Sequence, residues 1–483
     1  GASANAITGV ISAWADSMPG IVISGQENLK YVNRYKKNNL RMWGIQGFDS
    51  VKMIKEVTKY SNRLTKPENI LQELDICFHE TLDSRPGPVW LDIPIDIQGS
   101  KIKNKKLRRY IAKNKKIKIN KNLLFKIKKL IKQSKRPLFW FGNGVKISNS
   151  NYIINKLLKK FNFPFFLSWA ALDIMPTNHK LNFGRPGVYG NRASNIILQN
   201  SDLIISIGTR LSIPMTGYVE SEFTRNAKII YVDIDKSEYR KFKNKKKFIF
   251  CNSDAKQFMN KILNLSTNDN PIIKKEWLNY CNKILNNFPH LEKGTHDDKN
   301  GFINSYQFIN EFSKLLKKDS CIVTDMGTAL LSGHQKIMLS KNQKMMTSTG
   351  LGEMGYGLPG AIGACFGKKM NEIICLNCDG GIMMNLQELQ TIDEYKLPIK
   401  IFIFNNDGYL MIKHTQKNLF KGNYVAVNKS TNISCPNLKK LSNAFNMKYY
   451  SIKNWNDFNI NMKKIMKHKG ALICEVFMDP EQY

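Results

Sequence analysis

Short runs of apolar residues alternate along this chain with longer stretches that have helical spacing. The runs predict nine strands, at residues 21–24, 89–93, 138–141, 203–207, 229–232, 322–324, 373–376, 400–404 and 471–476. Most of these runs are almost continuously apolar, as is usual for strands buried on both faces. Strands that alternate with helices are typical of parallel sheets, so the pattern predicts an α/β fold with parallel sheets.

Two polar stretches divide this alternation into three blocks. One follows Gln98 and the other lies at about 268–300. We predict domains at 1–98, 120–266 and 301–483, with a basic linker at 99–119 and a second linker at 267–300. The first block is short for a complete domain, the chain starts within an element, and it stops just after a strand. We therefore expect the sequence to be a fragment that lacks an N-terminal part and the C-terminal end.

The net charge of +36 raises the question of nucleic-acid binding. Only 12 of the 74 basic residues are Arg, however, whereas surfaces that read bases favour the bidentate Arg side chain. The densest basic run, 101–136, contains 17 Lys or Arg and no acidic residue. It could be a phosphate-binding strip, but we favour a solvated linker followed by one amphipathic helix. We therefore predict no nucleic-acid partner.

Hydropathy and cysteine usage narrow the cellular setting. No apolar run approaches the roughly 20 residues of a membrane-spanning helix, so we predict no membrane partner. The nine cysteines are scattered, which fits a reducing compartment, and we expect a cytoplasmic location. Cys375 and Cys378 form a lone Cys-x-x-Cys within a strand pattern, and we interpret both as apolar packing residues rather than zinc ligands.

The segment 378–406 carries the clearest chemistry. Asp379, Gly380 and Gly381 close one predicted strand, and Asn406 closes the next. Across adjacent parallel strands, the Asp379 carboxylate and the Asn406 carboxamide could face one hard cation, and magnesium prefers such oxygen ligands. Glycine lets the backbone approach a diphosphate closely, and a helix N-terminus favours anions. The segment therefore predicts a magnesium–diphosphate site.

A glycine-rich stretch at 348–363 suggests a second part of that site. It has six glycines in sixteen residues, and we expect it to be a loop pressed against a ligand, rather than a helix interior, before the chain enters a helix at 361–367. Met354 lies in its middle, either facing the ligand or packing in a core. Gly327 and Thr328 follow another predicted strand, where they could donate to a phosphate or, for Thr328, cap a helix.

The central block has its own glycine turns. Gly142 and Gly144 follow a strand but lack the full dinucleotide-binding spacing, so a plain strand-to-helix turn is favoured. Gly208 follows another strand, and Asp233 ends a third, where a carboxylate could accept a ribose hydroxyl. A nucleotide-like site and a vestigial set of loops both remain open.

Four ordered segments resemble one known family. They read GASANAITGV with VISGQ, RPGPVWLDIPIDIQ, STGLGEMGYGLPGAIGA, and CDGGIMMNLQEL with FNND. Together they resemble the catalytic subunit of acetolactate synthase and its close relatives among the thiamine diphosphate enzymes, almost from end to end. The resemblance implies pyrimidine, central and diphosphate domains in that order. It also implies a homodimer or homotetramer with the active site between subunits, and it leaves a regulatory subunit open.

The resemblance assigns roles residue by residue. It implies magnesium ligation by Asp379, Asn406 and the Gly408 carbonyl. The diphosphate would be lined by four residues: Gly327, Thr328, Gly380 and Gly381.

Further roles concern the cofactor rings and the substrate. Gly352 and Met354 would contact the rings, with Met354 holding the cofactor in a bent conformation. Asn5 and Gln26 resemble positions near the partner subunit's half of the cofactor pocket. Gln46 resembles a glutamine beside the substrate.

Several positions depart from the family pattern. Cys378 stands where the metal motif usually has Gly, and Thr415 stands where true acetolactate synthases have a Trp in the second-substrate pocket. The stretch 211–217 lacks the paired Asp and the following Arg of the flavin site, although Gly208, Arg210, Thr216 and Gly217 remain, so FAD stays open. The family's catalytic Glu would lie upstream of this sequence, so we expect the chain as given to be inactive.

The resemblance implies thiamine diphosphate-dependent decarboxylation of a 2-keto acid, pyruvate above all, and carboligation of the remaining unit to a second carbonyl. Acetolactate synthase itself, a transferase of branched-chain amino-acid biosynthesis, is one hypothesis. A similar enzyme that uses another acceptor such as a ketosugar is a second, and a non-catalytic thiamine diphosphate fold is a third. His334 and His414 are expected near the chemistry, as acid–base groups or as ordinary residues of a polar rim.

Overall fold

The computed structural model describes residues 2–41, 43–102, 107–112, 119–265 and 274–482. The chain divides into two compact units. Unit 1 consists of residues 1–117 together with 348–353, and unit 2 of residues 118–347 and 354–483.

Unit 1 is built on a three-stranded parallel sheet. Its strands are β1 (Gly20–Gln26), β2 (Tyr60–Arg63) and β3 (Pro88–Pro94), in the order β1-β3-β2. Its α-helices are α1 (Ile7–Ala15), α2 (Leu29–Lys37), α3 (Ser50–Ile54), α4 (Ile70–Leu82) and α5 (Ile95–Gln98), with 3-10 turns at Ala2–Ala6, Lys55–Val57 and Pro67–Asn69. The central strand β3 supplies the buried core, since Val89, Trp90 and Leu91 are fully buried.

One buried carboxylate connects the three strands of unit 1. Asp92 on β3 is fully buried and accepts hydrogen bonds from Ser24 Oγ at 2.7 Å and Gln26 Nε2 at 3.1 Å, both on β1. It also pairs with Arg63 Nε on β2 at 2.8 Å. The carboxylate thus receives a donor from each neighbouring strand.

The segment Ser348–Glu353 belongs to unit 1 although it is distant in sequence. Ser348 Oγ lies 3.1 Å from Ser12 Oγ, and the Asp16 carboxylate accepts the backbone N–H of Thr349 at 3.0 Å and its hydroxyl at 2.8 Å. A Cβ added at Gly350 would lie 2.7 Å from the Ala15 Cβ. The segment therefore packs closely against the C-terminal end of α1.

Unit 2 contains two further parallel sheets. The first has the order β5-β4-β6-β7-β8 and consists of β4 (Pro137–Phe141), β5 (Phe165–Leu167), β6 (Leu203–Ile207), β7 (Lys228–Asp233) and β8 (Phe248–Asn252). The α-helices of this part are α6 (Lys121–Gln133), α7 (Asn143–Ile147), α8 (Asn151–Phe161), α9 (Arg192–Asn200), α10 (Ile213–Thr216), α11 (Ala255–Leu263) and α12 (Lys275–Asn287), with 3-10 turns at Trp169–Ile174 and Lys236–Lys241.

The second sheet of unit 2 has six strands in the order β10-β9-β11-β12-β14-β13. They are β9 (Cys321–Thr324), β10 (Lys344–Met346), β11 (Ile373–Cys378), β12 (Ile399–Asn405), β13 (Lys448–Ile452) and β14 (Leu472–Phe477). Its helices are α13 (Ser305–Ser313), α14 (Thr328–Lys336), α15 (Gly357–Gly367), α16 (Asp379–Ile382), α17 (Glu388–Glu394), α18 (Leu410–Leu419), α19 (Leu438–Ala444) and α20 (Trp455–Lys467), with a 3-10 turn at Lys429–Thr431. The largest buried cluster joins residues of both sheets of unit 2, including Phe139, Ile205, Ile322 and Phe402.

All nine predicted strands are present, and every observed strand pairing is parallel, so the predicted α/β class is confirmed. The pattern missed five strands, namely β2, β5, β8, β10 and β13. Each of the five lies at the edge of its sheet, where a strand pairs on one side only and can be short.

Regular structure is found just after the first predicted linker and inside the second. The amphipathic helix expected in the basic run is α6, which buries Ile127 and Ile131 and leaves most of its lysines outside. Helix α12 lies inside the predicted linker 267–300 and buries Trp277, whose indole N–H donates to the Pro137 carbonyl at 3.0 Å. Residues 103–106, 113–118 and 266–273 of these linkers lie outside the described residues, and the domain boundaries stay a prediction. None of the helices in the described part of the chain is long and apolar enough to cross a bilayer.

We expect Asp92→Ala to destabilise unit 1 by about 3–5 kcal/mol, because it leaves the buried Arg63 guanidinium without this partner. Urea unfolding monitored by amide exchange in β1 and β3 measures the change. Asp96→Ala, which removes an exposed carboxylate from the same unit, is the control and should have a much smaller effect. Equal effects of the two variants would contradict this account of the sheet.

Candidate functional site

Three neighbouring parallel strands end at the candidate site. Strand β11 pairs with β9 on one side, with Leu376 opposite Thr324, and with β12 on the other, with Cys378 opposite Phe404. The residues that follow these strands therefore emerge at one edge of the sheet. They are Asp325 after β9, Asp379 after β11 and Asn406 after β12.

Asp379 is a fully buried carboxylate that backbone groups hold in place. Its Oδ1 accepts the Gly380 N–H at 2.9 Å, and its Oδ2 accepts the Gly408 N–H at 2.8 Å. Burial raises the pKa of this carboxyl to about 6, although backbone hydrogen bonds from Gly408, Gly380 and Asn406 act in the opposite direction. Both oxygens keep lone pairs for a further interaction, and a cation there would favour the ionised form.

Asn406 presents a carboxamide oxygen that has no hydrogen-bond partner among the described residues. The side chain is 5% exposed, and its Nδ2 donates to Thr328 Oγ1 at 2.9 Å. In this orientation of the amide Oδ1 is the atom left over, and an unsatisfied buried acceptor is unfavourable unless a ligand meets it. The orphaned oxygen and the Asp379 carboxylate form a donor set suited to a hard cation such as magnesium.

Gly408 and Gly380 occupy positions where a side chain has no room. Gly408 has φ +129°, and a Cβ there would lie 2.1 Å from the Val427 carbonyl oxygen. A Cβ at Gly380 would lie 2.3 Å from the Tyr409 ring. Only glycine therefore fits at these two positions beside Asp379, and their backbone is not covered by a side chain of its own.

Helix α14 begins beside this pair. Gly327 is its N-cap with φ +82°, and Thr328 is its first residue, so the expected alternative of Thr328 as the side-chain cap is wrong. The Thr328 hydroxyl is instead the acceptor for Asn406. Cys378 lies here too, with its Sγ 3.4 Å from both the Ala329 N–H and the Met326 carbonyl, and burial raises the pKa of its thiol. A Cβ at Gly327 would lie 3.2 Å from that sulfur, so this Cys and this Gly fit each other.

The glycine-rich stretch is a helix for half of its length. We expected a loop up to Gly360 and a helix from Ala361, but α15 already begins at Gly357, so Gly357 and Gly360 lie within it. The reason is close packing, since a Cβ at Gly357 would lie 2.9 Å from the Asp325 Cβ and one at Gly360 would lie 3.1 Å from Val323 Cγ1. These glycines allow the helix to pack tightly onto β9 and the residue that follows it.

The two residues of this stretch to which the resemblance assigns ring contact lie in different units. Met354, in unit 2, is 38% exposed, so it is not a core methionine. Gly352, in unit 1, donates its N–H to Ser348 Oγ at 3.4 Å.

The other residues assigned by resemblance to the first domain lie in unit 1. Asn5 is exposed within the first 3-10 turn. The Gln26 amide bonds within the unit, since its Nε2 donates to the Phe48 carbonyl at 2.8 Å and to Asp92, and its Oε1 accepts the Glu27 N–H. Gln46 is exposed, and its backbone N–H donates to Glu27 Oε1 at 3.1 Å. Thr415, in unit 2, is exposed on α18 and donates to the Met411 carbonyl at 3.0 Å.

His334 does not match either expectation for it, whereas the role of His414 stays a prediction. His334 is fully buried, with its ring 5.1 Å from that of Trp169, and burial lowers its pKa to about 3. It lies at the opposite end of α14 from Thr328, so it is neither a rim residue nor placed for proton transfer at the strand ends. Burial also lowers the pKa of His414, which lies on α18.

The sequence did not reveal the role of Arg185. Its buried guanidinium donates to the carbonyls of His334 and, at 2.5 Å, Ile337 at the end of α14, and burial lowers its pKa to about 9. A cation at a helix C-terminus satisfies the last carbonyls and the negative end of the helix dipole. The helix that carries Thr328 at its start is thus anchored at its other end by the preceding sheet's loops.

The glycine turns of the central sheet pack against one another. Gly142 caps α7, as the plain strand-to-helix interpretation predicted, and a Cβ there would lie 2.2 Å from the Gly208 carbonyl oxygen. The Arg210 carbonyl accepts the Tyr231 hydroxyl at 2.8 Å, and Asp233 Oδ1 accepts the Asp235 N–H at 3.0 Å. These contacts are internal to the sheet's own loops and give no positive evidence of a nucleotide.

Two family models match the chain over unit 2. The C-terminal TPP binding domain of thiamine pyrophosphate enzymes matches residues 325–476, and the central domain of those enzymes matches residues 124–262. The first match begins at Asp325 and includes Asp379 and Asn406. The fold and the site thus define an enzyme of the thiamine diphosphate class. Thiamine diphosphate and thiamine pyrophosphate are two names for the same cofactor.

Relatives identify the family within that class. The acetolactate synthase isozyme 1 large subunit of Escherichia coli K12 is 28% identical over 480 residues, which are 99% of this chain and 81% of that protein. The probable acetolactate synthase large subunit of Methanococcus aeolicus is 30% identical over 499 aligned residues, covering 99% of this chain and 80% of that protein. The chain belongs to the acetolactate synthase-like family of thiamine diphosphate enzymes.

Two histidines with lowered pKa values, the fully buried His334 and the partly exposed His290, predict acid sensitivity. His334 and His290 have pKa values lowered to about 3, against 6.5 for an exposed histidine, so the unfolded chain binds more protons between these values. Stability should therefore be fully present above about pH 6.5 and fall as the pH decreases, by about 1.4 kcal/mol per pH unit for each histidine. Urea unfolding from pH 7 to 4 measures this slope. His334→Phe keeps an aromatic ring against Trp169 and should remove one histidine's share, and an unchanged slope would contradict the assignment.

Proposed function

We propose that this protein binds thiamine diphosphate through magnesium, decarboxylates a 2-keto acid such as pyruvate, and joins the remaining two-carbon unit to a second carbonyl. The observation that carries the proposal is the pair formed by Asp379 and the orphaned Asn406 oxygen. These atoms lie at adjacent strand ends next to the start of α14. Family membership supports the cofactor, and the donor chemistry supports the metal.

The chain's own residues have distinct tasks in this proposal. Asp379, Asn406 and the Gly408 carbonyl would hold magnesium. The bare backbone at Gly380, together with Gly381, Gly327 and Thr328, would line the diphosphate. When bound, thiamine diphosphate supplies the electron sink that allows carbon dioxide to leave a 2-keto acid. The protein would supply orientation and charge neutralisation around it.

We propose a homodimer as the smallest active assembly. The resemblance assigns Asn5 and Gln26 to the half of the pocket that serves the partner subunit's cofactor, and both lie in unit 1. A homotetramer would satisfy the same requirement. The relatives are named large subunits, which supports a smaller regulatory partner for this chain as well.

Flavin has weaker support. Of the remaining flavin-type residues, Gly208 packs against Gly144, and the Thr216 hydroxyl bonds to the Ser212 carbonyl at 3.3 Å. The Arg210 carbonyl is bonded within its own sheet. No step of the proposed reaction uses a flavin.

A second candidate function is transfer of the two-carbon unit to a bulkier acceptor, such as a ketosugar. The specific observation is Thr415, a small exposed side chain at the position that the resemblance gives to a tryptophan. Its hydroxyl turns back to the Met411 carbonyl on its own helix. A smaller side chain here leaves a wider pocket, which favours larger or less strictly selected acceptors.

The metal site predicts the cofactor's binding behaviour. Calorimetric titration should show thiamine diphosphate binding that depends on magnesium, and Asp379→Ala should weaken it at least about 100-fold, since it removes a charged ligand. The matched control is Asp407→Asn, an exposed neighbour with φ +59° that Asn tolerates, and binding should stay within about threefold.

The outcomes separate the hypotheses. Binding without magnesium, or equal weakening by the two variants, would refute the proposed metal site. An acetoin colour test with pyruvate distinguishes acetolactate formation from transfer to another acceptor. The test requires protein that carries the family's catalytic glutamate. Magnesium-dependent binding with no turnover of any 2-keto acid in that protein would favour the non-catalytic fold.

Thr415→Trp tests the acceptor pocket. If the exposed threonine widens the pocket, the tryptophan should raise the preference for 2-ketobutyrate over pyruvate as second substrate by about tenfold or more. The reason is that contact with a buried aromatic surface adds about 1.4 kcal/mol or more to the binding of the larger substrate. The measurement is the product ratio in competition, again with the catalytic glutamate present. Thr415→Ser is the control and should leave the ratio unchanged. An unchanged ratio with tryptophan would contradict the placement of Thr415 in the acceptor pocket.

A further inference from the structure

Asp325 is a buried carboxylate that accepts backbone N–H groups from the residue after it and from the glycine-rich loop. It follows β9 directly, is fully buried, and its own N–H donates to the Leu376 carbonyl at 2.8 Å. Its Oδ1 accepts the Met326 N–H at 2.6 Å, and its two oxygens share the Gly355 N–H at 3.0 and 3.1 Å. Oδ2 also accepts the Gly357 N–H at 3.1 Å. Hydrogen bonds to an ionised acceptor are about twice as strong as neutral ones.

These bonds hold the backbone on both sides of Tyr356. Gly357 begins α15, and its N–H is one of the donors that a helix leaves unpaired at its start. The preceding N-cap residue, Tyr356, provides no side-chain hydrogen bond to that end. The Asp325 carboxylate, which follows β9, thus caps the N-terminus of α15.

The loop is also held from its opposite side. Asn385 Nδ2 donates to the Gly355 carbonyl at 2.9 Å. Gly355 has φ +90°, and a Cβ there would lie 2.5 Å from the Met384 Cβ. Its peptide groups are therefore clamped between Asp325 and Asn385, and the exposed Met354 side chain projects from the residue just before this clamp.

Asp325 lies equally close to the diphosphate side of the site. A Cβ at Gly381 would lie 3.2 Å from the Asp325 carboxyl carbon and 2.8 Å from Asn377 Oδ1. The carboxylate thus packs against the turn that follows Asp379, whereas it hydrogen-bonds to the loop that follows Met354. One group relates the two parts of the site to each other.

We propose that Asp325 is a positioning residue that sets Met354 against the rings of the cofactor while the diphosphate is held independently by the Asp379 site. This rests on the proposed function, because it takes the cofactor to be thiamine diphosphate. Asp325 itself touches neither metal nor substrate. Its effect is confined to the preference for the thiamine moiety over the bare diphosphate.

The test compares two ligands in the presence of magnesium, thiamine diphosphate and inorganic diphosphate, by calorimetry on the whole chain. Asp325→Asn keeps the shape but replaces one acceptor oxygen by an N–H donor that faces the loop amides. The preference for thiamine diphosphate should fall about tenfold or more, since bonds to a charged acceptor are lost. Affinity for inorganic diphosphate should change less than about threefold, and Asp319→Asn, an exposed carboxylate in the same unit, should change neither.

A second variant and a direct measurement cover a folding defect. Asn385→Ala loosens the same loop from its other side and should reproduce the selective loss. Amide exchange at Gly355 and Gly357 in the unmodified chain should be slow, as expected for bonded amides. Equal weakening of both ligands, no weakening, or rapid exchange of these amides in the unmodified chain would overturn the role of Asp325. Failure of the unmodified chain to bind either ligand would instead refute the proposed function.

Discussion

The parallel pairing of β9, β11 and β12 is the constraint on which the candidate site depends. Neighbouring strands in a sheet lie about 4.8 Å apart, so residues that follow them at matched register are forced together. The chain uses this to bring Asp325, Asp379 and Asn406 to one edge from positions far apart in sequence. The two carboxylates then behave differently. Asp325 accepts backbone amides of Met326, Gly355 and Gly357, whereas Asp379 and Asn406 retain acceptor capacity and can receive a ligand.

The interior of the fold could be predicted from the sequence because its strands bury both faces. Strands such as β6 and β11 are buried throughout, and short, nearly continuous apolar runs between turn residues are typical of such strands. Edge strands do not share this property. β10 has three residues, with a lysine first, and β2 is polar over most of its length. These segments form strands because they pair with a neighbouring strand, and their own residues do not predict it.

The sequence predicts those parts of the candidate site whose residues lie together in short segments. Asp379 and Asn406 follow strands and are the kind of residues that a metal requires. Long-range contacts are not visible in this way. The link between Arg185 and the end of α14, the burial of His334 and the loop held by Asp325 all join segments that are distant in the chain. Gly357 and Gly360 of α15 were misinterpreted for the same reason, because they are required by the close approach of Asp325 and β9 rather than by a ligand.

The segment Ser348–Glu353 has a consequence for how the chain is made. Ser12 and Ser348 are 336 residues apart, yet they are in contact within unit 1. Synthesis starts at the N-terminus and proceeds at about 5–20 residues per second, so roughly 20–70 s separate the appearance of α1 from that of this segment. During that interval unit 1 lacks part of its packing, whatever its local propensities. Its final assembly on the ribosome is therefore timed by the synthesis of a much later part of the chain, and slower translation would prolong the exposure of α1 to chaperones and proteases.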